Sequence, residues 1–226
     1  MSDPFANPIV FHLGSIPVTE VVIQTWGVMA VLVASAILLT RRARIGRGRW
    51  AMVATAAVAL AEDQFRTILR RDPRPFMPLL ATLFVFITAS NLSELIPGMH
   101  APTARPETTA ALALIVFVAV HISGLASQGI RGYLRHYADP NLLFIPLHIA
   151  SELTRTFSLM VRLCGNILSH GLVIAIILSL VGWLVPVPFM ILGVLTGVVQ
   201  AYIFTILAAV YLGAATEAAD GAVDHH

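Results

Sequence analysis

The sequence predicts an all-α integral membrane protein, with about five transmembrane helices and one amphipathic membrane-surface helix. The last two spans are expected to be long and tilted. Three observations carry this. Of 226 residues, 58% are hydrophobic and only 12% are charged, a balance that suits a bilayer rather than water as solvent. Five apolar segments are long enough to cross hydrocarbon of about 30 Å, which takes about 20 helical residues. Most of the charges gather between those segments instead of spreading along them.

The N-terminal stretch "MSDPFANPIVFHLGS" has no basic residue before its apolar part. It does not read as a cleavable signal peptide, so the first span is expected to remain in the mature protein. That span covers 21–40 and carries no charge until "RRARIGRGR" stops it. Residues 50–72 differ. Glu62, Asp63, Arg66 and Arg70 fall on one side at steps of three and four, while Val53, Leu60, Phe65, Ile68 and Leu69 occupy the rest. This pattern predicts a helix lying on the membrane surface. A second span follows at 76–97, opened by Pro75 and Pro78 and closed by Pro97-Gly98. A third covers 108–130. After "RGYLRHYADP" comes a long run, 141–184, then a break at "VPVP", 185–188, and a last run, 189–215.

All 14 basic residues are arginine, and their placement orients the chain. Arg41, Arg42, Arg44, Arg47, Arg49, Arg66, Arg70, Arg71, Arg74, Arg131 and Arg135 fall on one side of the predicted membrane, and Arg105 alone on the other. By the positive-inside rule the N-terminus faces outward and the C-terminus lies in the cytoplasm. A net charge of +2 gives no sign of a nucleic-acid partner. The single cysteine, Cys164, excludes an intrachain disulfide. The histidines show no HExxH spacing and have no cysteine partners, so no metal is expected. No glycine-rich phosphate motif is present, and no cofactor is expected.

The run 141–184 would form a helix of about 65 Å, roughly twice the hydrocarbon thickness, so it must tilt, bend or extend beyond the core. It also carries a polar stripe. His148, Arg155, Arg162 and Ser169 recur every seven residues, with Ser151, Glu152, Ser158, Gly165 and Asn166 between them near one face. Polar groups within a span face protein or water. Small and polar residues also serve helix packing, which accounts for Ser, Gly and Asn but not for Arg162. Arg162 lies about 30 Å along the axis from either end of the run, too far to snorkel to headgroups. Its insertion costs at least about 2.5–3.5 kcal/mol. Glu152 is the only acid in the run. It is about 15 Å away and is better spaced to serve Arg155. The counter-charge for Arg162 is therefore expected from another helix or another subunit.

"SLMVRLCGN" in the long run and "QAYIFTILAAVYLGAA" from Gln200 in the last one resemble subunit a of the F-type rotary ATP synthases. "NLSELIPG" at 91–98 and "PTARPETTAALAL" at 102–114 are similar to further patterns of that family, and the resemblance covers nearly the whole chain. It implies an ion-translocating stator without enzymatic activity of its own. Its two long tilted helices would curve along a ring of c subunits, beside a peripheral stalk subunit b, in the bilayer of a bacterial inner membrane. Two half-channels would reach the ring carboxylates, and Arg162 would separate them. Gln200 would lie close to Arg162, Asn166 one turn after it, and Glu94 in the outward half-channel. The resemblance has gaps. Where the family often has an acid or histidine nine residues after the arginine, this chain has Gly171, preceded by His170. Around Gly193 a charged or histidine partner is missing. Arg105 and Glu107 replace residues that tend to be Asp and Asn. The coupling ion stays open between proton and sodium.

The remaining candidates for the path are His170, Ser169, His148 and Glu152. His12, Glu20, Glu217 and Asp220 read as solvated positions, and His121 as a packed or interfacial histidine. A standalone membrane transporter or channel with an intramembrane arginine is the rival reading. It would favour internal repeats and broken helices, and the sequence has neither. A membrane metalloenzyme is disfavoured by the histidine spacing.

Overall fold

A backbone that crosses lipid must satisfy its own hydrogen bonds, which leaves the helix as the economical choice for apolar segments of this length. The computed structural model describes residues 9–13, 16–45, 49–69, 72–96, 99, 101–138, 145–181 and 186–217. Its helices are α1 (Glu20–Ile45), α2 (Arg49–Leu69), α3 (Met77–Leu92), α4 (Pro106–Ala138), α5 (Ile145–Val181) and α6 (Pro186–Glu217). All but α2 are long and apolar enough to cross a membrane. A small antiparallel hairpin of β1 (Ile9–Leu13) and β2 (Ile16–Thr19) precedes α1, with Leu13 opposite Ile16 and His12 opposite Pro17. No sequence pattern predicts this hairpin, because four or five residues with a proline carry almost no period-two signal.

Helix ends differ from the expected span ends for local reasons. Helix α1 runs through Arg41 to Ile45, since backbone bonding continues after the apolar stretch stops. Helix α4 starts at Pro106 and extends to Ala138, with Gly129 at φ 68° inside it. That left-handed conformation suits glycine and kinks the helix. Helix α3 gives way after Leu92 to a 3₁₀ turn, Ser93–Leu95. The expected break at 185–188 shrinks, because α6 begins at Pro186, and proline fits the first turn of a helix, where no N–H partner is needed. The stretches 141–144 and 182–185, Pro97-Gly98 and the tail from 218, which includes Asp220, lie outside the described residues.

Helix α6 is the hub, touching α2, α3, α4 and α5. Its buried face is made of small residues, Gly197, Ala201, Ala208 and Ala209, with Phe204 and Leu212 between them. Small residues let helix backbones approach where no hydrophobic force separates helix from lipid. Opposite them, α3 buries Leu80, Leu83 and Ile87, and α5 buries Leu159, Leu163 and Ile167 along one edge. The rest of α5 is open: Leu153, Phe157, Val161, Leu172 and Ile176 are exposed. Such a surface is unfavourable in water and ordinary in lipid or against another subunit.

Helix α2 is amphipathic, but it does more than rest on a surface. Phe65 and Leu69 are buried in the common core, and Gly213 of α6 lets α2 come close enough that an added Cβ would sit 3.7 Å from Leu69 Cα. Its polar side carries Glu62, paired with Arg66 at 3.2 Å and with Arg74, beyond the helix, at 3.3 Å. Leu69 is 1% exposed, so Leu69→Ala is expected to cost about 2–5 kcal/mol. Trypsin should then cut near Arg66 faster in detergent, and unchanged cleavage would show that α2 docks by other contacts.

Candidate functional site

The polar stripe of α5 keeps its face. His148, Ser151, Arg155, Ser158, Arg162 and Ser169 are all exposed, while Glu152, Gly165, Asn166 and His170 are half-buried at its edges. None of the described residues gives the Arg162 guanidinium a hydrogen bond or ion pair. Arg162 therefore stands in the middle of an apolar helix, pointing away from its own chain. Ser169 donates back to the Gly165 carbonyl at 2.6 Å, and so is satisfied within the helix. Gln200 is 5% exposed and its Nε2 finds no partner. No hydrogen bond joins Gln200 to Arg162.

Two clefts open beside α5, one towards each end. The first, a small one, is lined by Asn91, Glu94, Asn166, Ile167, His170, Gly193, Thr196 and Gly197. It brings together three of the expected site residues, Glu94, Asn166 and His170. Glycines make the room. A Cβ on Gly171 would lie 3.2 Å from the Glu94 carboxylate oxygen, and a Cβ on Gly193 would lie 2.9 Å from Cε1 of the His170 ring. The two positions where side chains were missed in the sequence are thus filled by polar groups from elsewhere. A buried polar chain fixes the wall. Thr103 donates to Asn91 Oδ1 at 2.6 Å, and Asn91 donates through Nδ2 to the Gly197 carbonyl at 2.8 Å. This ties the loop before α4 to α3 and α6, just where α3 turns to present Glu94.

The second cleft is lined by Val116, Phe117, Val120, Glu152, Arg155, Thr156, Leu159 and Tyr211. Here one expectation is corrected. Glu152 faces His121 of α4, with Oε2 3.6 Å from Nε2, whereas Arg155 holds its guanidinium 5.5 Å from the centre of the Tyr211 ring. The aromatic face of α6 takes the cation that the helix spacing had assigned to Glu152. His148 lies one turn before Glu152 and is exposed. Glu20 opens α1 and accepts from Gln24 at 3.2 Å. Side chains of His12 and Glu217 lie outside the described residues. Among the described residues no cluster of His, Cys, Asp or Glu is arranged to hold a metal ion.

Along α5, Glu152 is about 15 Å to one side of Arg162 and His170 about 12 Å to the other. A cation without a partner among the described residues thus stands between two polar clefts. The chain matches the ATP synthase A chain family over residues 22–213. It is 48% identical over 215 residues to ATP synthase subunit a 2 of Bradyrhizobium sp. strain BTAi1, covering 95% of this chain and 96% of that relative. It is 41% identical to ATP synthase subunit a 1 of Hahella chejuensis, covering 96% and 92%. The chain belongs to the ATP synthase subunit a family. A third relative, ATP synthase subunit a 1 of Chlorobium luteolum, is 44% identical over 93% of this chain and 95% of its own length. Membership, together with five helices able to span a membrane, makes this an integral membrane protein.

Against this family background, sequence reasoning missed Thr103, Asn91, Gly197 and Tyr211, and read His121 only as a packed or interfacial histidine. The first three lay inside or near motifs quoted for their resemblance, but nothing local to them showed that one would bond to the next across three elements. The glycines of α6 also differ in what they tolerate. A Cβ on Gly197 would meet the Cβ of buried Asn91 at 2.9 Å, whereas a Cβ on Gly193 meets the end of a rotatable ring. Gly197→Ala is therefore expected to destabilise by about 1–3 kcal/mol and Gly193→Ala by clearly less. Thermal unfolding of the detergent-solubilised protein checks the order, and equal midpoints would contradict it.

Proposed function

We propose that this chain is the ion-translocating stator of a rotary ATP synthase, carrying protons through two offset half-channels to the carboxylates of a c-ring. The single observation that supports this is Arg162: mid-helix, exposed, and without a counter-charge among the described residues. Leaving a cation at such a depth costs several kcal/mol unless a partner outside the chain supplies the negative group. A carboxylate on a passing ring meets that requirement. The long open face of α5 suits the same partner. A peripheral stalk subunit b would steady the stator, and the arginine-rich segments would face the cytoplasm of a bacterium.

The chemistry follows from charge. A cation beside the ring carboxylate favours its ionised form, so the arriving group releases its ion on one side and is reloaded from the other before it enters lipid. Arginine suits the position because it stays charged and accepts no proton, which prevents protons from hopping directly between the half-channels. Glu94 and His170 would serve the outward half-channel, with Asn166 lining it. Glu152 and His148 would serve the inward one. Histidine in the first cleft favours protons over sodium, since an imidazole nitrogen can both take and give a proton. The membrane field would supply about 2.3 kcal/mol per charge per 100 mV, delivered as rotation of the ring.

Arg162→Ala in the whole complex is expected to abolish ion-coupled ATP synthesis while the ring still co-purifies. Retained coupled synthesis would refute the role. ATP-driven transport in vesicles should acidify the lumen equally with and without sodium, and a strict sodium requirement would overturn the choice of ion.

A further inference from the structure

We infer that His121 of α4 is a proton-relay residue, sharing one proton with Glu152 of α5 on the side of Arg162 opposite to Glu94 and His170. The inference rests on the proposed function and adds a residue to the inward half-channel.

The ring orientation carries the argument. Nδ1 of His121 is 2.8 Å from the Phe117 carbonyl oxygen. A carbonyl can only accept, so Nδ1 carries the hydrogen. In the neutral ring the lone pair is then on Nε2, and Nε2 faces Glu152 Oε2 at 3.6 Å. A shift below about 1 Å closes this to hydrogen-bond length. A packed histidine needs only the bond to its own helix. It does not need its basic nitrogen turned to a carboxylate on another helix, within a span where ionisable groups are costly. The other charged and titratable groups nearby are Arg155, His148 and Tyr211. Arg155 is engaged over the Tyr211 ring, and Thr156 donates to the Glu152 backbone carbonyl at 3.1 Å rather than to its carboxylate. Glu152 lines the second cleft, and the side chains of His121 and Glu152 are 31% and 21% exposed, which leaves the pair open to water.

The step balances without any co-reactant. A protonated Glu152 gives its proton to Nε2: the O–H bond breaks, the N–H bond forms, and a carboxylate faces an imidazolium. The imidazolium then loses the Nε2 proton to water in the cleft, because the Nδ1 proton is held by Phe117. The reverse order loads Glu152 from water.

The test uses the complete complex, with its ring, reconstituted in vesicles. Passive proton conduction under an imposed potential is measured across a range of pH for His121→Ala, His121→Asn, Glu152→Gln and the His121→Ala/Glu152→Gln double variant. Each single variant is expected to lose about tenfold or more of the flux and to flatten its pH profile. The double variant should conduct no worse than either single one. Added imidazole should restore conduction in His121→Ala but not in Glu152→Gln. His121→Asn covers poor assembly of the alanine variant, since its amide can still donate to the helix backbone but cannot accept a proton. Parental flux and pH profile in either His121 variant would overturn the relay, as would lost flux in His121→Ala that imidazole leaves unrestored. Arg162→Ala in the same vesicles separates the two claims. Coupled synthesis retained there refutes the proposed function itself; coupling lost there, with His121 variants unaffected, refutes the relay alone.

Discussion

A guanidinium that cannot lose its proton, set about halfway along an apolar helix, constrains everything around it. It cannot be neutralised by titration, and it is too deep to reach headgroups. Nothing among the described residues answers it. The fold responds by leaving the centre of the α5 stripe uncovered around Arg162 and by gathering its packing residues, Leu159, Leu163 and Ile167, on one edge. In the proposed function that open stripe is where a ring would pass.

Holding α5 by one edge requires a firm support behind it, and α6 provides it. Alanines and glycines bring α3 and α2 into close contact with α6, and Phe204 and Leu212 fill the core beside them. The polar tie from Thr103 through Asn91 to Gly197 belongs to the same support. Each of its groups finds a partner, which is what makes burial of an amide affordable in a low-dielectric setting. Gln200 departs from this pattern, being buried with an amide hydrogen-bond donor unsatisfied.

Much of the fold was legible in the sequence because the bilayer imposes a length on each span, and apolar runs of that length are hard to mistake. Arg162 was legible for the same reason: any charge at that depth stands out. Helix ends were less so, because α1 and α4 continue past the apolar stretch under their own hydrogen bonding. The cross-helix partners were hardest. Helical spacing linked Glu152 to Arg155, yet the Tyr211 ring and His121, each far away in sequence, decided where both charges went. The hairpin before α1 and the docking of Phe65 and Leu69 likewise depend on contacts that no local pattern encodes.

Gly171 and Gly193 look like losses when read one position at a time, since the resemblance leads one to expect a polar side chain at each. In three dimensions each is a socket, the first for the Glu94 carboxylate and the second for the His170 ring. The cleft therefore specifies where its oxygen and nitrogen atoms lie and leaves open which backbone bears them. Bulk at either glycine and reach at its facing residue should trade off as linked variables, so that a single exchange in one relative makes sense only when its counterpart across the gap is read with it.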